Sequence, residues 1–203
     1  MIAIITADIV NSAHHETAQW MHLLKETLSR WGDTPRDWEI YRGDEFQLRS
    51  TPEHALQIAI ELKARLKVIK DLDLRIAIGL GEENYRGNGI SESNGTAYQR
   101  SGRMLDKLKN QKKNMGIDTG EAHRNRSLNL IIDLASDFMD NWTPVSAEMI
   151  ALSLAAPDKT QSEMADELKI RQSAVSQRRK RARYPLVQQM LAFYTQIIKE
   201  LEA

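Results

Sequence analysis

The chain of 203 residues contains no cysteine. That absence excludes a disulfide framework, a thiolate metal centre and a cysteine nucleophile, and it suits a reducing cytosol. The chain also lacks an excess of either charge, since 28 basic residues balance 28 acidic ones. As a whole it is therefore neither a polyanion binder nor a solvated tail, and the distribution of charge matters more than the sum. No apolar run reaches membrane-spanning length. The apolar run at the start, Ile2 to Val10, has no basic segment before it and is broken by Asp8. Those features argue against a signal peptide and for a cytoplasmic protein without membrane contact. The length allows one or two domains.

What is present begins with that first run, a buried-strand pattern carrying one acid that is costly to bury unless something positive pairs with it. Further on, Trp38-Glu39-Ile40-Tyr41 and Phe46-Gln47-Leu48 alternate as two strands, so Gly43-Asp44 falls at a hairpin tip. A second carboxylate is thus expected near Asp8. Two acids sharing a hard cation such as Mg2+ or Mn2+ would offset the cost of bringing them together.

Asp8 at the end of a first strand, a helix, and then a hairpin carrying Tyr41-Arg42-Gly43-Asp44-Glu45-Phe46 resembles the palm of class III nucleotidyl cyclases and GGDEF diguanylate cyclases. The pattern of strand, helix, hairpin, helix, strand covers about the first 120 residues. With its C-terminal helices the whole chain resembles the SatD-type family of small bacterial proteins. The resemblance implies metal binding by Asp8 and Asp44 with Glu45 close by, and nucleotide contacts from Arg42 and Gly43. Arg42 stands where the GGDEF pattern has Gly. Downstream, Gly95-Thr96-Ala97-Tyr98-Gln99-Arg100-Ser101-Gly102-Arg103 resembles the cyclase motif in which Gly opens a helix and an Asn, then an Arg four residues later, face the triphosphate. Gln99 holds the Asn position and Arg103 the Arg position, on one helical face. In an active cyclase these two would be the catalytic pair, with Arg103 stabilising charge on the transferred phosphoryl group and the site completed between two chains.

The remaining elements follow from periodicity. Trp20, Leu23, Leu24, Thr27, Leu28 and Trp31 recur at helical spacing, and Gly32-Asp33-Thr34-Pro35 ends that helix. Thr51-Pro52 starts another, with Ala55, Ile58, Ala59, Leu62, Leu66 and Ile69 on one face. Leu74, Ile76, Ile78 and Leu80 form a strand expected beside the first, and Met115 to Asp118 a short edge strand. His14-His15 lies near Asp8 but has no matched His or Cys spacing, so it is read as solvated. The glycines at 79, 81, 87 and 89 lack the Lys and Ser or Thr of a phosphate loop and read as turns. Leu128, Ile131, Ile132, Ala135, Phe138, Met139 and Trp142 make an apolar stripe suited to packing between the two halves or to a dimer seam.

From Thr143 the character changes. Thr143-Pro144 starts a helix, Thr160-Gln161-Ser162-Glu163 is a capping box, and Lys169-Ile170-Arg171 is a tight turn into a helix from Gln172. This resembles the helix-turn-helix of bacterial regulators and sigma-factor C-terminal regions, with Lys169 in place of the usual turn glycine. No acid lies between Leu168 and Pro185. Lys169, Arg171, Arg178, Arg179, Lys180, Arg181 and Arg183 supply phosphate-contacting candidates for duplex DNA, Ser173, Ser176 and Gln177 sit where base edges would be read, and Gln172 at the helix start joins them as a DNA-binding candidate. Leu186, Met190, Phe193, Ile197 and Leu201 form a last stripe suited to dimerisation or to covering the preceding helices.

The sequence therefore predicts an α+β chain: a ferredoxin-like, cyclase-palm-like antiparallel sheet with helices on one face over 1–122, a connector helix over 123–142, and an all-α helix-turn-helix domain over 143–203. Two function classes follow. The first is a homodimeric DNA-binding regulator whose cyclase-like part senses a nucleoside triphosphate or cyclic nucleotide, or has lost its chemistry. The second is an active cyclase or nucleotidyltransferase whose C-terminal helices dock a partner.

Overall fold

The computed structural model describes residues 1–41 and 43–202. Along the chain it forms β1 (Ile2–Val10), a 3-10 turn (Ser12–His14), α1 (Thr17–Ser29), β2 (Trp38–Tyr41), β3 (Glu45–Ser50), α2 (Pro52–Leu66) and β4 (Asp73–Gly81). A second 3-10 turn (Ile90–Glu92), α3 (Thr96–Gln111), β5 (Met115–Asp118), α4 (Ala122–Met139) and α5 (Pro144–Ala155) follow. The chain closes with α6 (Gln161–Leu168), α7 (Gln172–Arg181) and α8 (Tyr184–Glu202). Among the described residues this is an α+β fold with eight α-helices and one five-stranded sheet of order β2-β3-β1-β4-β5.

The expected β2–β3 hairpin and the expected β1–β4 pairing are present, both antiparallel, and β1 also pairs antiparallel with β3. Two sequence expectations need correction. The sheet is mixed rather than antiparallel, because β5 runs parallel to β4 after the α3 crossover, a connection long enough to return the chain in the same direction. Helices also cover both faces rather than one. Ala3, Ile5, Ala7 and Ile9 of β1 join Leu74, Ile76, Ile78 and Leu80 of β4 in the main core with α1 and α2. On the opposite face Ile4 packs with Ala97 and Tyr98 of α3, and Ala77 with Met104, Leu105 and Leu108. The near-continuous apolar run of β1 has this cause, since a strand covered on both sides has no polar face to show. Gly79 allows the second layer to sit close, because a Cβ there would collide with the Ala97 carbonyl oxygen and the Ser101 nitrogen.

Helix α2 is buried nearly all round, and its two buried charges are paired, as burial requires. The Lys63 ammonium lies 2.6 Å from Asp73 Oδ1 and 2.8 Å from Asp140 Oδ1, while Glu61 accepts from Arg30 Nη1 at 2.6 Å and Trp31 Nε1 at 3.3 Å. The main core runs on past α2 into α4, α5 and α8. Tyr194 of α8 donates to the Pro52 carbonyl, and Trp142 Nε1 donates to Ala182 O at 2.9 Å. A smaller cluster of Met149, Met164, Ala165 and Val175 holds α5, α6 and α7 together. The capping box at Thr160 and Glu163 is formed, and Lys169 adopts φ 53°, the left-handed turn conformation for which glycine is usual.

Candidate functional site

Two groups of chemistry-bearing side chains stand out, one at the hairpin and one on α7. At the hairpin, register does the positioning. Asp8 of β1 lies directly across from Glu45 on β3 and from Arg75 on β4, so all three project from one face of the sheet. Lys109 reaches in from α3. Arg75 Nη1 donates to Asp8 Oδ2 at 2.9 Å, Lys109 Nζ donates to Glu45 Oε1 at 2.8 Å, and the same ammonium lies 3.8 Å from Asp8 Oδ2. Burial pushes the Asp8 carboxyl above its ordinary value against the pull of Arg75 and Lys109, and the nearby Glu45 and Asp44 push it the same way. The hydrogen bond to Glu45 holds the Lys109 ammonium above its ordinary value.

Asp44 is placed differently. Its carboxylate accepts from Ser12 Oγ at 3.1 Å, and its carbonyl accepts from the Ile9 amide at 3.1 Å, which ties the hairpin tip to the end of β1. Gly43 has φ +89°, a turn conformation that side chains rarely adopt. Beside it lies a cavity of about 240 Å³ lined by Ser12, Ala13, Thr17, Trp20, Gly43 and Asp44, at the start of α1. Trp20 Nε1 and His15 Nε2 are buried nearby without hydrogen-bond partners. Arg42, a predicted nucleotide contact, lies outside the described residues.

The structure thus sets Asp8 across from Glu45 and ties the nearby Asp44 carboxylate to Ser12. No group of three or more His, Cys, Asp or Glu side chains is arranged to hold a metal among the described residues. Of the oxygens facing the cluster, Asp8 Oδ1 is buried without a partner, whereas Asp8 Oδ2 and Glu45 Oε1 are already held by Arg75 and Lys109. Mg2+ or Mn2+ bound through Asp8 Oδ2 and Glu45 Oε1 would have to displace those cations. Gln99 and Arg103 are exposed on the outer side of α3 and form no bond to these acids. Arg100 is structural, donating to the carbonyls of Leu80 and Thr119.

Sequence reasoning missed Arg75 and Lys109. The available signal was an Arg interrupting an otherwise apolar or small-residue strand, since a half-buried cation asks for an acid across the sheet. Between this cluster and β2 the sheet carries a closed polar chain. Tyr41 Oη donates to Gln47 Oε1 at 2.8 Å, Gln47 Nε2 donates to Thr6 Oγ1 at 3.2 Å, and Thr6 Oγ1 meets Ser101 Oγ at 2.8 Å.

On α7 the only buried residue is Val175. Ser173, Ser176, Gln177 and Lys180 share the opposite side at helical spacing and are exposed, with exposed Arg181 alongside and exposed Arg171 at the cap. Gln172, Arg178 and Arg179 are tethered. Gln172 Nε2 donates to Gln161 Oε1 at 2.7 Å, Arg178 lies 3.7 Å from Glu148, and Arg179 stacks 4.2 Å above the ring of Tyr184. Gln177, Lys180, Arg181 and Arg183 line a shallow, open basic depression of about 470 Å³. Lys180 and Arg183, two of the basic residues in the acid-free stretch, belong to this surface. Among the described residues no helix is long and apolar enough to cross a membrane. A scan against protein-family models finds no match to the chain, and a search of curated proteins finds none either.

Proposed function

We propose that the chain is a DNA-binding transcriptional regulator in which α6 and α7 act as a helix-turn-helix, with α7 as the element that enters the major groove. The observation that carries this reading is the outward face of α7, where Ser173, Ser176 and Gln177 are exposed beside Lys180 and Arg181, with no acid from Lys169 to Pro185. Neutral hydrogen-bonding groups suit base edges, and flanking cations suit phosphates. The packing of Ala165 and Val175 with Met149 supports the same reading, because a small residue at the crossing lets the two helices approach. Selection from random duplexes should enrich a motif, and affinity should fall steeply with salt. No enriched motif together with salt-independent binding would overturn it.

In the same proposal the N-terminal part is a ferredoxin-like, cyclase-palm-like module that senses a nucleoside triphosphate or cyclic nucleotide rather than turning it over. What supports this is Lys109 and Arg75 standing on Asp8 and Glu45, where the resemblance calls for metal ions. A second reading, an active cyclase, is favoured by the cavity beside Asp44 and by the unpartnered Asp8 Oδ1. Incubation with each triphosphate and Mg2+ or Mn2+, followed by chromatography, separates the two. A cyclic or linked product that disappears in Asp44→Asn would promote the second.

A further inference from the structure

Helix α8 carries no charged residue from Tyr184 through Ile198, although half of that stretch faces outward. A helix surface meant for water carries charge, and charged residues are depleted at the centre of protein interfaces. Its outward apolar residues, Leu186 at 45% and Phe193 at 37% exposure, line a groove shared with Leu134 of α4, 67% exposed, and Leu130, 60% exposed, lies one turn before Leu134 on the same helix. The groove has a volume of about 420 Å³ and includes Ile131, Phe138 and Met190. An apolar surface of this kind, open and continuous over two helices, marks an interaction site.

The charges at its ends say what fits. Arg126, Leu130, Leu134 and Asp137 follow one another at i, i+4, i+8 and i+11, forming a single exposed stripe on α4. Neither Arg126 nor Asp137 has an ion-pair partner among the described residues, in contrast to Arg124, which pairs with Glu200 at 2.6 Å, and Asp133, which pairs with Lys113 at 2.6 Å. The stripe is therefore self-complementary: positive at one end, negative at the other, apolar between. We infer that the α4–α8 groove is the seat of a second copy of this chain, with the two α4 helices antiparallel about a two-fold axis between Leu130 and Leu134. Each Leu130 then meets the partner's Leu134, and each Arg126 comes within a turn of the partner's Asp137. The two helix dipoles also run in opposite directions. A two-fold interface needs this correspondence, because one surface must match itself. The inference stands apart from the DNA reading, since its evidence lies on α4 and α8.

Sedimentation of the full chain at concentrations up to about 100 µM, well above the Kd of a micromolar dimer, provides the test. A mass of twice the 23.2 kDa chain is expected. Leu134→Asp, at an exposed position that leaves the fold intact by circular dichroism, should raise the dimer Kd at least about 100-fold by placing a charge in an apolar seam. Arg126→Asp and Asp137→Arg should each weaken the dimer, and the double exchange should restore it, because each pair joins the two chains. A chain that stays monomeric over the whole range would overturn the second copy and leave the groove to a different protein. A dimer indifferent to Leu134→Asp and to the charge exchanges would overturn it equally, by putting the seam elsewhere.

Discussion

Lys63 of α2 and Asp140 at the end of α4 meet at 2.8 Å, with the lysine fully buried. The contact is electrostatic rather than a well-aligned hydrogen bond: Asp140 Oδ1 has no aligned donor, while its Oδ2 accepts from Asn114 Nδ2 at 3.1 Å. Lys63 makes its aligned bond to Asp73, which Lys67 also holds. One ammonium therefore links the sheet to the helix that leads into the C-terminal elements.

Replacing that lysine should be costly. Lys63→Met leaves Asp73 and Asp140 short of a cation in a buried setting, and urea unfolding should report a loss of about 3 kcal/mol. Asp140→Asn should cost less, about 1 kcal/mol, because its side chain is 34% exposed and water screens it. A loss from Lys63→Met no larger than from Asp140→Asn would mean that the ammonium is not the element that joins the two parts.

Asp8 gives stability an uncommon pH dependence. Burial raises the folded-state pKa of Asp8 above 3.8, so within the window from 3.8 up to the raised value the native protein holds a proton that the unfolded chain has released. Stability contributed by this group is present below that window and falls as pH rises through it. Thermal unfolding across the window should therefore show the wild type losing stability with rising pH relative to Asp8→Asn. Parallel profiles for the two proteins would show that Asp8 is not desolvated.

Lys109 holds the place a cation would take beside Glu45. Lys109→Ala frees Glu45 Oε1 and removes the more distant of the two positive charges beside Asp8 Oδ2, the one that reaches in from α3. Calorimetric Mn2+ affinity should rise at least about tenfold, the equivalent of 1.4 kcal/mol. Unchanged affinity would show that the metal, if bound, uses oxygens elsewhere.

The salt dependence of DNA binding should sort the cations of α7 by their tethers. Lys180→Ala with Arg181→Ala should flatten the slope of log affinity against log salt by up to about two units, one for each phosphate that is no longer neutralised. Arg178→Ala with Arg179→Ala should flatten it less, since those side chains already lie against Glu148 and Tyr184. Gln177→Ala should chiefly relax preference among sites. Equal effects from both pairs would mean that the tethers open on binding.

Local signals made much of the architecture legible. The hairpin around Gly43-Asp44, the start of α2 at Thr51-Pro52 and the capping box at Thr160 each depend on residues within a few positions of one another. So does the tight turn through Lys169. The second helix layer was harder to see, because Ala77 and Gly79 look like neutral spacers until α3 is laid across them. The last apolar stripe also divided in a way its spacing did not show: Met190 and Ile197 are buried, while Leu186 and Phe193 remain exposed.

By itself the sequence determined the elements, their order, the acid in a buried strand and the one-sided charge of α7, because periodicity, turn chemistry and composition act over short distances. Only the tertiary structure decided which charges meet. Strand register sets Asp8 between Glu45 and Arg75, and the α3 crossover delivers Lys109 rather than Arg103 to them. The Asp8–Arg75 contact alone spans 67 residues of sequence, and nothing in local spacing encodes a partner that only the folded sheet brings within reach.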